Sequence, residues 1–248
     1  MKTFIEKIVP VEKPHQFAQA PLPDLTAALV EAEGLIRAKK GRDTFRVSGN
    51  GLTVAVLDTG LRVSHTDFAG KVLAQVNYTT DYGGTLENAD DQHGHGTNVG
   101  GIIVAKGIHT GIAPGANIIP IKVLTNSGGG SFQSIIDALQ WVLDNHATYN
   151  ISAICMSLGD GGNYRMEAEL AGIAAVKDKI AELRSRKIAS VVAAGNDFFR
   201  HNSIQGMAYP AIIKEVVSVG AVYDENEGPM NYRGGAKAFT TEKDRITP

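Results

Sequence analysis

Short apolar runs alternate with longer amphipathic stretches from residue 52 onward. Each run has six to eight residues, is rich in β-branched side chains and is bounded by Gly, Asn or Asp. This pattern is typical of buried strands. The runs are LTVAVL, NIIPIKVL, ISAICMS, ASVVAAG and EVVSVG.

The stretches between these runs have apolar positions that recur every three or four residues, which predicts helices. The predicted helices span residues 95–105, 131–145 and 165–186. Continuous apolar strands that alternate with helices are typical of a parallel sheet covered on both faces. We therefore expect an α/β fold of three layers, with ligands bound at the carboxyl ends of the strands.

The N-terminal part of the chain has a different pattern. Residues 24–40 predict one helix, because Asp24 can cap its start and Gly41 follows its end. We therefore divide the chain into an N-terminal extension with one helix, residues 1–47, and a main domain, residues 48–248.

The N-terminus also bears on location. Ala18-Gln19-Ala20 resembles a signal-peptide cleavage site, but no apolar segment of the kind that precedes such sites is present. A cytoplasmic location is therefore expected, with secretion kept as an alternative.

The charge of the chain is balanced, with 24 Lys and Arg residues against 26 Asp and Glu residues. No nucleic-acid partner is expected, because there is no basic patch. No membrane partner is expected either, since no run of about 18 apolar residues occurs. The single cysteine, Cys155, lies in an apolar run and is interpreted as a small buried side chain. The sequence leaves the oligomeric state open.

Asp58 follows the first predicted strand, in the triplet Asp58-Thr59-Gly60. An aspartate at this edge of the sheet can cap the next turn, accept a phosphoryl group in a flavodoxin-like fold, or act in catalysis. The same triplet occurs in aspartic proteases, in which two carboxylates share one proton. That alternative does not fit, because no second copy occurs and the helices argue against an all-β fold.

Two histidines, His93 and His95, lie in the segment DDQHGHGTNVGG, close to Asp90 and Asp91. They are a candidate metal site, since His and Asp are common ligands. However, residues two apart do not face each other on a helix, and no further ligand cluster follows. The alternative is that His95, at the start of a helix, acts as a general base.

Asn196 ends the segment SVVAAGN at the same predicted edge of the sheet as Asp58. An Asn after Gly is commonly a turn residue. Its side-chain N–H can also donate to an oxyanion that develops during catalysis. Both interpretations stay open on this pattern alone.

Taken together, VAVLDTG, DQHGHGTNVGG and VVAAGN resemble the subtilisin-like serine proteases in order and separation, and the likeness covers about residues 50–222. It implies that Asp58 orients His95, that His95 takes a proton from a serine, and that Asn196 stabilises the oxyanion. The N-terminal extension is similar to that of intracellular bacterial subtilisins. Its segment KIVPVEKP is then expected to lie across the substrate cleft.

The resemblance also implies a cleft for an extended protein or peptide substrate. Its residues are expected to be Gly128, Gly129 and Gly130 on one side and Ser157, Leu158 and Gly159 on the other. The rival interpretation of GGGSFQSII is a phosphate-binding loop. It does not fit, because the spacing G-x-G-x-x-G is interrupted by Gln133.

The sequence departs from the family in two respects. It contains no turn like Gly-Thr-Ser-Met-Ala for the nucleophile, so we expect a C-terminally incomplete piece of a serine endopeptidase, inactive by itself. The alternative is a catalytically inactive, peptide-binding member of the family. The chemistry requires no cofactor, and no metal ligand is assigned. A structural calcium ion beside Asp67 is doubtful, because the loop AKGIHTGIAPG is short.

Overall fold

The computed structural model describes residues 7–10, 32–170, 172–222, 230–231 and 237–238. Its strands are β1 (Lys7–Pro10), β2 (Thr53–Asp58), β3 (Val76–Asn77), β4 (Asn117–Lys122), β5 (Gly130–Ser131), β6 (Ile151–Met156), β7 (Leu158–Gly159), β8 (Ala189–Ala193), β9 (Val217–Val219), β10 (Met230–Asn231) and β11 (Lys237–Ala238). Its α-helices are α1 (Ala38–Phe45), α2 (His95–Val104), α3 (Phe132–Tyr149) and α4 (Ala174–Ser185). None of these helices has the length and apolar character needed to cross a membrane.

Six strands form one sheet in the order β3-β4-β2-β6-β8-β9, and every neighbouring pair is parallel. Each of the five predicted strands overlaps one of these strands, while β3 has only two residues and no pattern that could be recognised. Because the strands are parallel, their carboxyl ends meet at one edge of the sheet.

Strand β2 shows how both faces of the sheet are covered. Ala55 and Leu57 belong to a core cluster that includes apolar residues of α3 and α4. Val56 belongs to a second cluster, which includes Val104 of α2. Successive side chains of a strand point to opposite faces, so the helices lie on both sides. The predicted three-layer α/β fold is confirmed.

The helix predicted for residues 165–186 is wrong at its N-terminal end, because α4 begins at Ala174. The backbone N–H of Tyr164 donates to the carbonyl oxygen of Met207 at 2.8 Å, and the N–H of Met207 donates back at 2.9 Å. This pairing keeps the chain extended, and a short 3-10 turn at Glu167–Glu169 follows. A contact with a distant segment therefore delays the helix.

The predicted N-terminal helix differs in its C-terminal boundary, while residues 24–31 lie outside the described part of the chain. The helix is interrupted at Arg37, whose φ is 55°, and α1 then runs through Gly41 instead of ending there. Arg42 anchors α1 by donating to the carbonyl oxygen of Ile112 at 3.0 Å. Since α1 buries none of its residues, its apolar pattern carries little information.

Two small antiparallel sheets complete the described structure. Strands β5, β1 and β7 form one of them in that order, and β10 and β11 form the other. Strand β1 belongs to the N-terminal extension, yet both of its partners belong to the main domain. The division of the chain at residue 47 stays a prediction.

Candidate active site

Asp58 is the last residue of β2 and lies at the carboxyl edge of the sheet. Its backbone carbonyl accepts hydrogen bonds from the N–H groups of Val123 and Leu124, at 2.9 and 3.1 Å, which fixes its backbone against the end of β4. Its side chain is fully buried, and Oδ1 accepts the N–H of Thr59 at 2.7 Å. A carboxylate buried in this way needs such donors to offset the loss of water.

His95, the first residue of α2, supplies a second donor to the same carboxylate. Its Nδ1 lies 2.7 Å from Oδ1 of Asp58, and 15% of the His95 side chain is exposed. Gly96 permits this approach, because a Cβ there would collide with the carbonyl oxygen of Gly60. The N–H of Gly96 also donates to Oγ1 of Thr59 at 2.9 Å. The close approach of helix and strand brings the imidazole onto the carboxylate.

Asp91 holds the loop before α2, a role that the sequence analysis missed. Its Oδ1 accepts the N–H groups of His93 and Gly94 and the hydroxyl of Thr59, at 3.0, 2.9 and 3.0 Å. Its Oδ2 accepts the N–H and the hydroxyl of Thr97, at 2.9 and 2.6 Å. Burial raises the pKa of this carboxyl, but these hydrogen bonds outweigh burial and hold the pKa below its ordinary value. Asp91 is therefore a positioning group for the start of α2.

His93 is exposed beside the imidazole of His95. The two ring centroids are 6.3 Å apart and the rings meet edge to face. Within the described ranges, no group of three or more His, Cys, Asp or Glu residues could hold a metal ion. Asp91, the nearest predicted ligand, uses both of its oxygens for the helix start.

Asn196 follows β8, and only β6 separates β8 from β2 in the sheet. The N–H of Ala194 donates to the carbonyl oxygen of Val219, and the carbonyl oxygen of Ala194 accepts the N–H of Ala208, both at 2.8 Å. Gly195 then turns the chain with a φ of 113°, a value that favours glycine. The half-buried amide of Asn196 is thus held at the carboxyl edge of the sheet.

The residues predicted to bind substrate lie on two segments that face each other across β1. On one side Ile8 pairs with Gly130, and on the other Val9 pairs with Gly159. We call the space between β5 and β7, which β1 occupies, the cleft. The structure brings all six predicted residues to its two sides: Gly128, Gly129, Gly130, Ser157, Leu158 and Gly159.

Cys155 lies in β6 and is half-buried, somewhat more exposed than the sequence interpretation expected. It packs against the same core cluster as Val56. Burial, and secondarily the charge of Asp58, raises the pKa of the thiol to about 12. A thiol that resists ionisation is a poor nucleophile, so Cys155 is part of the packing.

Comparison with known proteins gives the family. The model of the Subtilase family matches residues 49–244, which is more than half of the chain. The chain belongs to the subtilase family.

Three relatives illustrate the range of this family. The major intracellular serine protease of Bacillus subtilis (strain 168) is 32% identical over 180 residues, 71% of this chain and 52% of that protein. The intracellular serine protease of Paenibacillus polymyxa is 34% identical, with 70% and 50% covered. The extracellular serine proteinase of Thermus sp. (strain Rt41A) is 35% identical, with 73% and 39% covered. This subtilase chain thus spans about half the length of the first two of these relatives and 39% of the third.

The subtilase chain has a second Asp–His contact, outside the cleft. Asp67 lies in a 3-10 turn, and its Oδ2 is 2.7 Å from Nδ1 of His109. Its Oδ1 accepts the N–H groups of Ile108 and His109, at 2.6 and 3.3 Å. Burial raises the pKa of Asp67, but the hydrogen bonds from His109 and Ile108 outweigh it and hold the pKa below its ordinary value. The Asp67–His109 pair therefore fastens the short loop after α2.

Proposed function

We propose that this chain is part of a serine endopeptidase that hydrolyses peptide bonds in proteins. The observation that carries the proposal is the 2.7 Å contact between Oδ1 of Asp58 and Nδ1 of His95 at the carboxyl edge of the sheet. A carboxylate at Nδ1 favours the neutral tautomer in which Nε2 is the basic nitrogen. His95 is then the general base, and Asp58 stabilises the imidazolium that forms.

The proposal requires a serine on a segment of the full-length protein outside residues 1–248. The hydroxyl proton of this serine passes to Nε2 of His95 while its oxygen bonds to the scissile carbonyl carbon. The side-chain N–H of Asn196 donates to the resulting oxyanion. His95 gives the proton to the leaving amine, and a water molecule then releases the acyl group by the same route.

The pairing of β1 in the cleft supports an extended protein substrate. Backbone groups of Gly130 and Gly159 pair with β1 on its two sides. A substrate in the same position would bind through its backbone, with little dependence on its side chains. We therefore propose a broad specificity, with β1 as an internal competitor that must leave the cleft before a substrate enters.

The test uses the full-length protein and a fluorophosphonate, which reacts with an activated serine. We expect labelling and hydrolysis of an unfolded protein such as casein, and the loss of both in His95→Ala. A full-length protein that takes up no probe and cleaves no peptide, while still binding an extended peptide, would establish the alternative of an inactive peptide-binding subtilase.

We also propose that His109 replaces a structural calcium ion beside Asp67. Calcium binds about six to eight oxygen ligands. Here both oxygens of Asp67 face N–H donors, from Ile108, His109 and the imidazole ring, so these residues do not fit a cation. A chelator should then leave the unfolding temperature unchanged, whereas a decrease that added calcium reverses would reject this proposal.

A cytoplasmic location is a further part of the proposal. It is supported by two relatives whose names describe them as intracellular. Fractionation of the source cells, with detection of the protein by an antibody, tests the location, and recovery of the protein from the medium would contradict it.

No nucleic-acid partner is proposed, because the charge is balanced, with a net charge of −2.

A further inference from the structure

Lys122 is a buried lysine at the carboxyl end of β4, beside Asp58 in the register of the sheet. Its side chain is 0% exposed, and its Nζ has three oxygen partners. They are the carbonyl oxygen of Thr59 at 2.5 Å, Oδ1 of Asn126 at 2.9 Å and Oδ2 of Asp81 at 3.1 Å. One partner for each proton satisfies the ammonium group.

These three partners belong to separate segments of the chain. Thr59 directly follows Asp58 of the candidate active site. Asn126 lies in the turn that leads to Gly128 and Gly130 of the cleft, where the N–H of Thr125 donates to the carbonyl oxygen of Gly129 at 2.7 Å. Asp81 begins a 3-10 turn after β3. One buried ammonium thus joins the Asp58 loop to one side of the cleft.

Asn126 extends this cluster toward the loop before His95. Its Oδ1 accepts the backbone N–H of Gln92 at 3.1 Å, and the backbone N–H of Asn126 donates to Oδ2 of Asp81 at 2.7 Å. Its Nδ2 donates to the hydroxyl of Tyr82 at 3.1 Å. The turn at Asn126 is therefore held by hydrogen bonds to Gln92, Asp81 and Tyr82, in addition to its contact with Lys122.

Lys71 is a second buried lysine, near the opposite end of β4, and provides a comparison within the same protein. Its Nζ donates to the carbonyl oxygens of Pro114 and Ala116, at 2.6 and 2.9 Å. Both acceptors precede β4 and belong to a single segment, far from the carboxyl edge of the sheet. Lys71 fastens one segment, residues 114–116, whereas Lys122 connects three separate segments at the carboxyl edge of the sheet.

Burial of an ammonium and a carboxylate costs solvation free energy that an apolar pair does not. Stability alone therefore does not account for Lys122 and Asp81 at the edge of the cleft. We propose that Lys122 is a positioning residue, which fixes the Gly128–Gly130 side of the cleft relative to the Asp58 loop. The effect of Lys122 on catalysis rests on the proposed function. Its effect on the geometry of the cleft does not, because the pairing of β1 in the cleft can be measured without any catalysis.

The experiment compares Lys122→Met with the matched control Lys71→Met in the full-length protein. A single-residue ester ends before it reaches Gly128–Gly130, whereas an extended peptide pairs with this side of the cleft. Lys122→Met is expected to lower kcat/KM for the extended peptide by about 10²-fold, mainly through KM, as a displacement of about 1 Å can do. The kcat/KM for the ester should change by less than about threefold, because displacement of Gly128–Gly130 weakens the binding only of substrates that contact these residues. Lys71→Met should leave the ratio of the two substrates unchanged.

Hydrogen exchange at residues 7–9 of the intact protein gives a readout that needs no catalysis. These amides lie in β1, which pairs with both sides of the cleft. Lys122→Met should accelerate their exchange by about tenfold, since a displaced strand opens more readily, while Lys71→Met should not. This measurement stays decisive even if the full-length protein hydrolyses no peptide.

Equal losses on the ester and the extended peptide, with unchanged exchange at residues 7–9, would show that Lys122 only stabilises the fold. Equal effects of the two lysine variants would overturn the proposal as well. If Lys122→Met does not fold, Asn126→Ala replaces it, because this change leaves the Lys122–Asp81 pair in place. It should cause the same selective loss on the extended peptide, and an unchanged substrate ratio would reject the proposal.

Discussion

Two Asp–His contacts of equal length have different surroundings in this subtilase. Asp58 and His95 are 2.7 Å apart between their closest side-chain atoms, and so are Asp67 and His109. The first contact joins the end of a core strand to the start of a helix, at the edge of the sheet that carries the cleft. The second joins a 3-10 turn to a short loop, whose backbone N–H groups share the same carboxylate.

The difference teaches that contact length does not identify a catalytic pair. Both carboxylates are buried, with 0% and 5% of their side chains exposed. The Asp58–His95 pair lies at the carboxyl edge of the six-stranded sheet, where β4 and β6 lead into β5 and β7 on the two sides of the cleft. The Asp67–His109 pair lies outside the cleft, in a 3-10 turn and the loop after α2. Position relative to a binding surface therefore separates the proposed catalytic pair from the pair that fastens a loop.

The largest expected effect divides the two pairs directly. His95→Ala in the full-length protein should lower kcat by about 10⁵- to 10⁶-fold, since the members of a triad act as a unit. His109→Ala, the matched change in the other pair, should leave kcat within about threefold, because it removes no group that contacts substrate. Peptide hydrolysis normalised by folded protein measures both. Comparable losses in the two variants would remove the distinction.

Asn196→Ala sharpens the comparison, because it removes the proposed oxyanion donor, which acts together with Asp58 and His95 and not with Asp67 and His109. Loss of one oxyanion donor costs about 10²- to 10³-fold in kcat in this kind of active site. Steady-state kinetics on one peptide measures it, with the exposed Asn98 changed to Ala as the control. A higher KM at unchanged kcat would mean that Asn196 binds substrate without stabilising the transition state.

The second pair should appear in stability rather than in turnover. His109→Ala removes a hydrogen bond to a buried carboxylate, which is worth about 1.5–3 kcal/mol in free energy of unfolding. Urea denaturation of the full-length protein measures this loss. A variant as stable as the wild type would show that the loop holds without the Asp67–His109 contact.

Acid gives an independent test of the second pair. The pKa of Asp67 is lowered from 3.8 in the folded protein, so its contribution to stability is present above pH 3.8 and is lost as the pH falls through the folded pKa. Asp67→Asn cannot titrate and should lose less stability than the wild type as the pH falls below about 4. Parallel losses in both proteins would assign the acid sensitivity to other carboxyl groups.

A smaller effect is expected from strand β1, which tests whether the cleft beside Asp58 and His95 binds substrate. Removal of residues 1–12 from the full-length protein should lower KM by about tenfold, because a competitor tethered to the same chain acts at high effective concentration. A synthetic peptide of residues 5–12 added to the shortened protein should raise KM again. An unchanged KM would mean that β1 does not compete with substrate.

The smallest effect is expected at His93. Its imidazole is exposed, and its backbone N–H, which bonds to Asp91, survives in His93→Ala. Turnover should change by less than about twofold, as is usual for exposed side chains that do not contact the reacting groups. If His93→Ala were as inactive as His95→Ala, and zinc restored activity to chelated protein, the two histidines would be a metal site instead.

The candidate site could be predicted only in part from the sequence. Asp58, His95 and Asn196 could be predicted because each follows an apolar strand or begins a helix, and because their motifs resemble those of a known family. Asp91 was missed, although an acidic residue shortly before a helix is a common capping signal. Lys122 left no such signal, since its partner Thr59 is 63 residues away.

The sequence by itself determined the α/β alternation, five of the six strands of the main sheet and the starts of α2 and α3. Periodicity, chain direction and caps are local properties, so they can be recognised without knowledge of the sheet order. The tertiary structure decided where α4 begins, how β1 pairs between β5 and β7, and which groups surround Asp91 and Lys122. These features depend on contacts between segments that the order β3-β4-β2-β6-β8-β9 brings together. No local pattern encodes such contacts, because each segment could form the same element with other neighbours.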